Sequence, residues 1–214
     1  MKFSLYHRLF YRLAWSFFLS FFKIWLGIRY LHWRRVPNTG PVLIVGNHES
    51  FLDPPAVAVG IVRMCHFMAR ESLFSTKTVP RRMFSWLMHH LNAFPVSLDG
   101  SGLDGVKQTL KLLKAGESVV IFPEGTRSEG DLLPFHKGFI SVAKRGKAAI
   151  VPCGLYGARK AMPRGAKMPR MSRVAIAYGE VISAEDVQRM SEEELLKLTE
   201  EKVRELIAEA KEKC

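Results

Sequence analysis

Two short runs hold the residue types from which proton transfer and anion binding are built. In IVGNHESFLDPP, spanning 44–55, His48 is followed five positions later by Asp53. An imidazole titrates near neutrality and serves as a general base, and a carboxylate against its far nitrogen fixes the tautomer and stabilises the imidazolium. The same letters admit a plainer reading, in which Asp53, with Pro54 and Pro55 behind it, caps a helix. In VVIFPEGTRS, spanning 119–128, Glu124, Gly125, Thr126 and Arg127 follow one another. A guanidinium offers paired, charge-assisted hydrogen bonds to a phosphate, and a glycine lets backbone approach a ligand closely. An ordinary turn with a surface arginine is the plain alternative.

Other reactive side chains are less promising. Ser50 lacks the Gly-x-Ser-x-Gly surroundings of a nucleophile elbow. Cys65, Cys153 and Cys214 are odd in number and widely spaced, which predicts no disulfide framework and fits a reducing compartment. Cys65 and Cys153 read as buried strand residues. His89 and His90 have no further ligands at metal spacing and read as a helix-surface pair. No metal and no cofactor are expected.

Each chemical run is an apolar stretch that ends in a polar turn, as at the carboxyl edge of a parallel sheet. Strands are predicted at 42–47, 64–68, 92–97, 117–122, 149–156 and 173–179. Helices are predicted at 54–62, 79–90, 102–114, 137–146 and 183–189. From Ser191 a capping box with Glu194 opens an exposed amphipathic helix with a stripe of Leu195, Leu198, Val203, Leu206 and Ala210. The alternation predicts an α/β fold, a largely parallel mixed sheet flanked by helices. The 214 residues suit one domain with an appendage, divided at the turn-rich Pro37–Pro41: a helical segment over 1–36 and a domain over 37–214.

The net charge of +12 is uneven, since residues 1–48 contain seven Lys or Arg and no acid. They lie among aromatics rather than among polar residues, which argues against nucleic acid. From Leu13 to Ile28 only Lys23 is charged, and the stretch would span ~24 Å as a helix, short of a hydrocarbon core of ~30 Å. Its flanks do not resemble a signal peptide cleavage site. An interfacial helix with basic ends on an anionic membrane surface accounts for this pattern, and a helix packed on its own domain is the alternative. A second basic run, from Arg159 through Arg164 and Arg170 to Arg173, reads as a solvated loop or as a contact for anionic lipid, CoA phosphates or an acidic carrier protein.

Taken together, NHESFLD and FPEGTRS resemble the paired blocks of the glycerolipid acyltransferases typified by 1-acyl-sn-glycerol-3-phosphate acyltransferase. AIVPCGLYG at 149–157 resembles the fourth block, and MARESLF at 68–74 the segment that usually carries a lysine, here Arg70. The resemblance covers about residues 40 to 180 and implies acyl transfer from acyl-CoA or acyl carrier protein to the sn-2 hydroxyl of 1-acyl-glycerol 3-phosphate. It implies His48 and Asp53 as the catalytic pair and Arg70, Glu124, Gly125, Thr126 and Arg127 as the residues that bind substrate, Glu124 and Thr126 holding glycerol oxygens or bracing the turn. Oxyanion donors are sought first near Val151. A membrane lipid acceptor and a place at the cytoplasmic face of the cell membrane follow. One block departs: in NAFPVSLDG, Asn92 stands for the usual glycine and Ser97-Leu98 for an acid-arginine pair. That keeps open another acceptor, such as a different lysophospholipid, glycerol 3-phosphate or an ornithine-type lipid, and also a membrane-binding module without activity.

Overall fold

The computed structural model describes residues 5–96, 103–166 and 168–214. The strands are β1 (Arg29–Leu31), β2 (Val42–Gly46), β3 (Cys65–Arg70), β4 (Ala93–Val96), β5 (Ser118–Ile121), β6 (Ala149–Tyr156) and β7 (Ala175–Tyr178). The helices are α1 (Leu5–Trp25), α2 (Asp53–Val59), α3 (Val79–His90), α4 (Leu103–Lys114), α5 (Gly138–Gly146), α6 (Ala158–Ala161), α7 (Ala184–Arg189) and α8 (Glu192–Glu212). One sheet in the order β1-β7-β6-β2-β5-β3-β4 joins all seven strands. Every pairing is parallel except β6 with β7. The α/β class and the largely parallel mixed sheet are as expected.

β2 lies inside the sheet and is buried along its whole length. Its pleat sends Val42 and Ile44 into one core and Leu43 and Val45 into the other. The first core contains Phe22 and Leu26 at the end of α1 and Val57 of α2. The second contains residues of α4, α5, α7 and α8. α8 opens with the expected capping box at Ser191 and Glu194. It is less exposed than anticipated, because Leu195, Thr199, Val203, Leu206 and Ala210 are buried against the sheet. The helix lies so close to β6 that a Cβ at Gly154 would collide with the backbone at Leu206 and Ile207.

β1 and α6 were not anticipated, being too short to show a period. α2 begins at Asp53 and stops at Val59, earlier than expected. β4 ends at Val96, and the departing pair Ser97-Leu98 lies outside the described residues. The substituted Asn92 has φ 63°, the left-handed conformation that glycine favours and asparagine tolerates. Asparagine is therefore compatible with the backbone turn into β4.

α1 has two unlike sides. One side packs on the domain, with Tyr11 and Phe22 buried and the Trp15 indole N–H donating to the Ile61 carbonyl at 3.0 Å. The other side leaves Tyr6, Leu9, Leu13, Phe17 and Ile24 exposed. Among the described residues, no helix is long and apolar enough to cross a membrane.

Candidate active site

β2 and β5 are neighbours, but the chain leaves them in opposite directions: β2 connects through α2 to β3 on one side, and β5 through α5 to β6 on the other. Such a divergence opens a crevice at the carboxyl ends of the strands. Both chemical runs emerge there. The Glu124 carboxylate accepts the His48 backbone N–H at 2.6 Å and the Leu133 N–H at 2.9 Å. The Ser128 N–H and hydroxyl donate to the His48 carbonyl at 2.7 and 3.2 Å. The backbone of His48 is thus held on both sides by the second run, 76 residues away.

The His48 ring is held as firmly. Its Nδ1 lies 2.8 Å from Oδ2 of Asp53, a carboxylate with no exposed surface. The same oxygen accepts the backbone N–H groups of Glu49 and Ser50, both at 2.6 Å. Asp53 therefore does not cap α2; it serves the turn that precedes the helix. Phe122 stacks on the imidazole with ring centroids 4.6 Å apart. Nδ1 being engaged, Nε2 is left to exchange a proton, and the His48 side chain is 20% exposed.

His48 opens onto a cavity of ≈ 780 Å³ with two chemically different ends. One end is lined by Phe18, Phe21 and Phe22 of α1 and by Leu87, Met88 and Leu91 from α3 and its C-terminal cap. The other is lined by Arg70, Gly125, Thr126, Arg127 and Arg164. The structure thus brings Arg70, Gly125, Thr126 and Arg127 to one wall with His48. Arg70 comes from the end of β3, and Gly125 takes φ 68° in the tight turn after β5. The Arg127 guanidinium lies 4.0 Å over the Phe51 ring. Burial, then the neighbouring Arg164 and Arg70 cations, push it down from its ordinary value, with Asp53 opposing.

Glu124 is placed differently. It is 4% exposed, and both its oxygens accept backbone N–H groups, so of its two expected roles the geometry favours bracing. Burial raises its pKa and those two hydrogen bonds oppose the rise. Val151, near which oxyanion donors were expected, is itself fully buried in β6 opposite Ile44 and does not line the cavity. Ser50 is also fully buried, its hydroxyl donating to the Met162 carbonyl at 3.0 Å. Cys65 and Cys153 are buried strand residues, and among the described residues no group of His, Cys, Asp and Glu is placed to hold a metal ion.

Two residues were passed over in the sequence. Asn47 exchanges hydrogen bonds with the Leu155 backbone, at 3.0 Å as donor and 2.7 Å as acceptor, and so fixes the end of β2 against β6. Arg164 was visible only as one member of a basic run. Its guanidinium donates to the Arg127 carbonyl at 2.9 Å and to the Thr126 hydroxyl at 3.3 Å, which sets a third cation beside Arg127 and Arg70.

This arrangement can be compared with known proteins. Residues 28–156 match the family model described as Acyltransferase. The chain is 30% identical over 176 residues to the 1-acyl-sn-glycerol-3-phosphate acyltransferase of Bacillus subtilis, covering 81% of this chain and 83% of the relative. It is 32% identical to the chloroplastic LPAT1 of Arabidopsis thaliana, of the same name, over 73% of this chain and 45% of the plant protein. In structure it is similar to the 1-acyl-sn-glycerophosphate (LPA) acyltransferase PlsC of Thermotoga maritima, with a TM-score of 0.73, 25% identity, and coverage of 96% of this chain and 78% of that one.

Proposed function

The chain belongs to the acyltransferase family, among the 1-acyl-sn-glycerol-3-phosphate acyltransferases, and from that premise we propose how its cavity works. The reaction acylates lysophosphatidic acid to phosphatidic acid, a step of phospholipid biosynthesis. Nε2 of His48 takes the proton of the sn-2 hydroxyl as the oxygen attacks the thioester carbonyl. Asp53 holds the tautomer and stabilises the imidazolium that forms. The tetrahedral intermediate then collapses, the thiolate leaves, and the imidazolium returns its proton to the sulfur. The acceptor hydroxyl stands where a serine would in a hydrolase, so no covalent enzyme intermediate is needed.

Arg70, Arg127 and Arg164 hold the acceptor phosphate, Gly125 and Thr126 shape the turn around it, and Glu124 braces that turn. The apolar end receives hydrocarbon chain. Acyl-CoA or acyl carrier protein is the donor, and the chemistry calls for no further cofactor. Residues 1–36 are the membrane-associating segment and 37–214 the catalytic domain, seated on anionic lipid at the cytoplasmic face of the cell membrane. The inactive-module reading is set aside by the family, and other acceptors by the common name of these relatives.

The observation that carries the mechanism is a His48 ring held by the buried Asp53 and opening onto one cavity with three guanidinium groups. Purified protein offered lysophosphatidic acid with each donor should turn over, and Arg127→Ala should raise KM for the acceptor far more than for the thioester. Truncating one side of such a charge-assisted contact costs ~2–5 kcal/mol. Equal loss for donor and acceptor, or equal use of monoacylglycerol, would remove the phosphate assignment.

A further inference from the structure

α3 is apolar on two faces, one turned to the cavity and the other largely to solvent. Phe84, Leu87 and Met88 line the cavity. A second stripe at i, i+4 and i+7, formed by Val79, Met83 and Trp86, is turned to solvent with exposures of 62%, 67% and 47%. The walling role explains the first stripe and leaves the second without a purpose. The helix also carries Arg81 and Arg82 and no acid.

The uncovered stripe continues into others. Trp86 meets Phe10 of α1 edge-on at 4.9 Å, and His90 meets Phe10 at 4.8 Å and Tyr6 at 6.3 Å. This joins it to the exposed Tyr6, Leu9, Leu13 and Phe17 of α1. At the other end of α1 the Trp25 indole N–H donates to the Pro169 carbonyl at 3.4 Å, and the side chains of Met168 and Met171 beside it are 75% and 72% exposed. Arg164, Arg170 and Arg173 border that turn. α1, α3 and Pro169 all contribute to the cavity wall, so the uncovered apolar surface belongs to elements that border the cavity.

We propose that α3 and the turn at 168–171 act with α1 as one docking face for an anionic phospholipid surface. Apolar side chains flanked by arginines fit the boundary between headgroups and acyl chains. A second copy of this chain fits poorly, because two such basic faces repel. The lipid-acceptor reading supplies the reason for a docking face beside the cavity; the exposed stripe and its charges stand without it.

Binding of the full chain to phosphatidylcholine vesicles with and without phosphatidylglycerol tests the proposal, no substrate being present. Val79→Glu combined with Met83→Glu, neither residue lining the cavity, should lower the partition coefficient by ~10-fold or more while α1 is unchanged. Turnover of a short-chain, water-soluble lysophosphatidic acid should persist. Met83→Cys labelled with a fluorophore should be quenched by brominated lipid, and Lys197→Cys on the exposed side of α8 should not. Unchanged partition of a folded double variant, or a Met83→Cys label as unquenched as the α8 label, overturns the proposal. So does a dimer in solution that the double variant dissociates with no change in vesicle binding. If the acyltransferase mechanism itself fails, turnover is lost while these binding results stand.

Discussion

A histidine, an aspartate and an arginine were legible in the sequence because their types and spacing have few other uses together. What was not legible is how they are held. Glu124 was expected to touch substrate or to brace its turn, and only the placement of its two oxygens on the His48 and Leu133 amides separates the two. Arg164 was hidden because a loop has no period by which to judge where a side chain arrives. With Nε2 of His48 as base, His48→Ala should lower kcat by at least ~100-fold with the thermal midpoint little changed, and Asp53→Asn should give a partial loss. Near-normal turnover by a folded His48→Ala protein would remove the base. Glu49, beside the pair, gives a pH prediction. It is 7% exposed, and burial first, then the nearby Asp53 carboxylate, push it up to about 7. Its charged form is the one the fold penalises, so its contribution to stability is complete below its unfolded value near 4.5 and is lost as pH rises through about 7. Glu49→Gln should therefore melt higher than wild type in mildly alkaline buffer, with the gap closing as the medium is acidified. A gap that is constant with pH would show that Glu49 does not titrate in this range.

Elements with a clear period were predicted close to where they lie: α3 and β6 agree at both ends, α4 agrees over its described residues, and α5 and α7 each begin one residue later. β1 escaped because three residues cannot show alternation, and α2 was drawn too long. The edge pair β7 and β1 turns against the rest of the sheet, a matter of topology that local pattern does not encode. Asn92 is the instructive case, since it stands where the resemblance expects glycine and takes a φ of 63°, a conformation that glycine favours and asparagine tolerates. The packing of α8 on β6 rests on the missing side chain of Gly154. Gly154→Val should wedge the helix from the sheet and destabilise the fold by at least ~1–3 kcal/mol, the usual cost of overpacking. Chemical denaturation measures this, and a variant as stable as wild type would mean that α8 can shift without loss.

For the molecule as a whole, α1 has one face in the domain core and another left apolar, and no described helix suits a crossing. Both ends of residues 1–35 should therefore be accessible from the same side of sealed vesicles to protease or to a cysteine reagent, and ends on opposite sides would mean a crossing. The position of the cavity, walled by α1 and α3 whose outer stripes are uncovered, has a kinetic consequence. An acceptor that slides in laterally is never counted per litre of buffer; the enzyme samples it per unit of lipid area. Adding inert phospholipid at constant total lysophosphatidic acid should then slow a saturably bound enzyme by surface dilution. Adding buffer should leave its rate untouched.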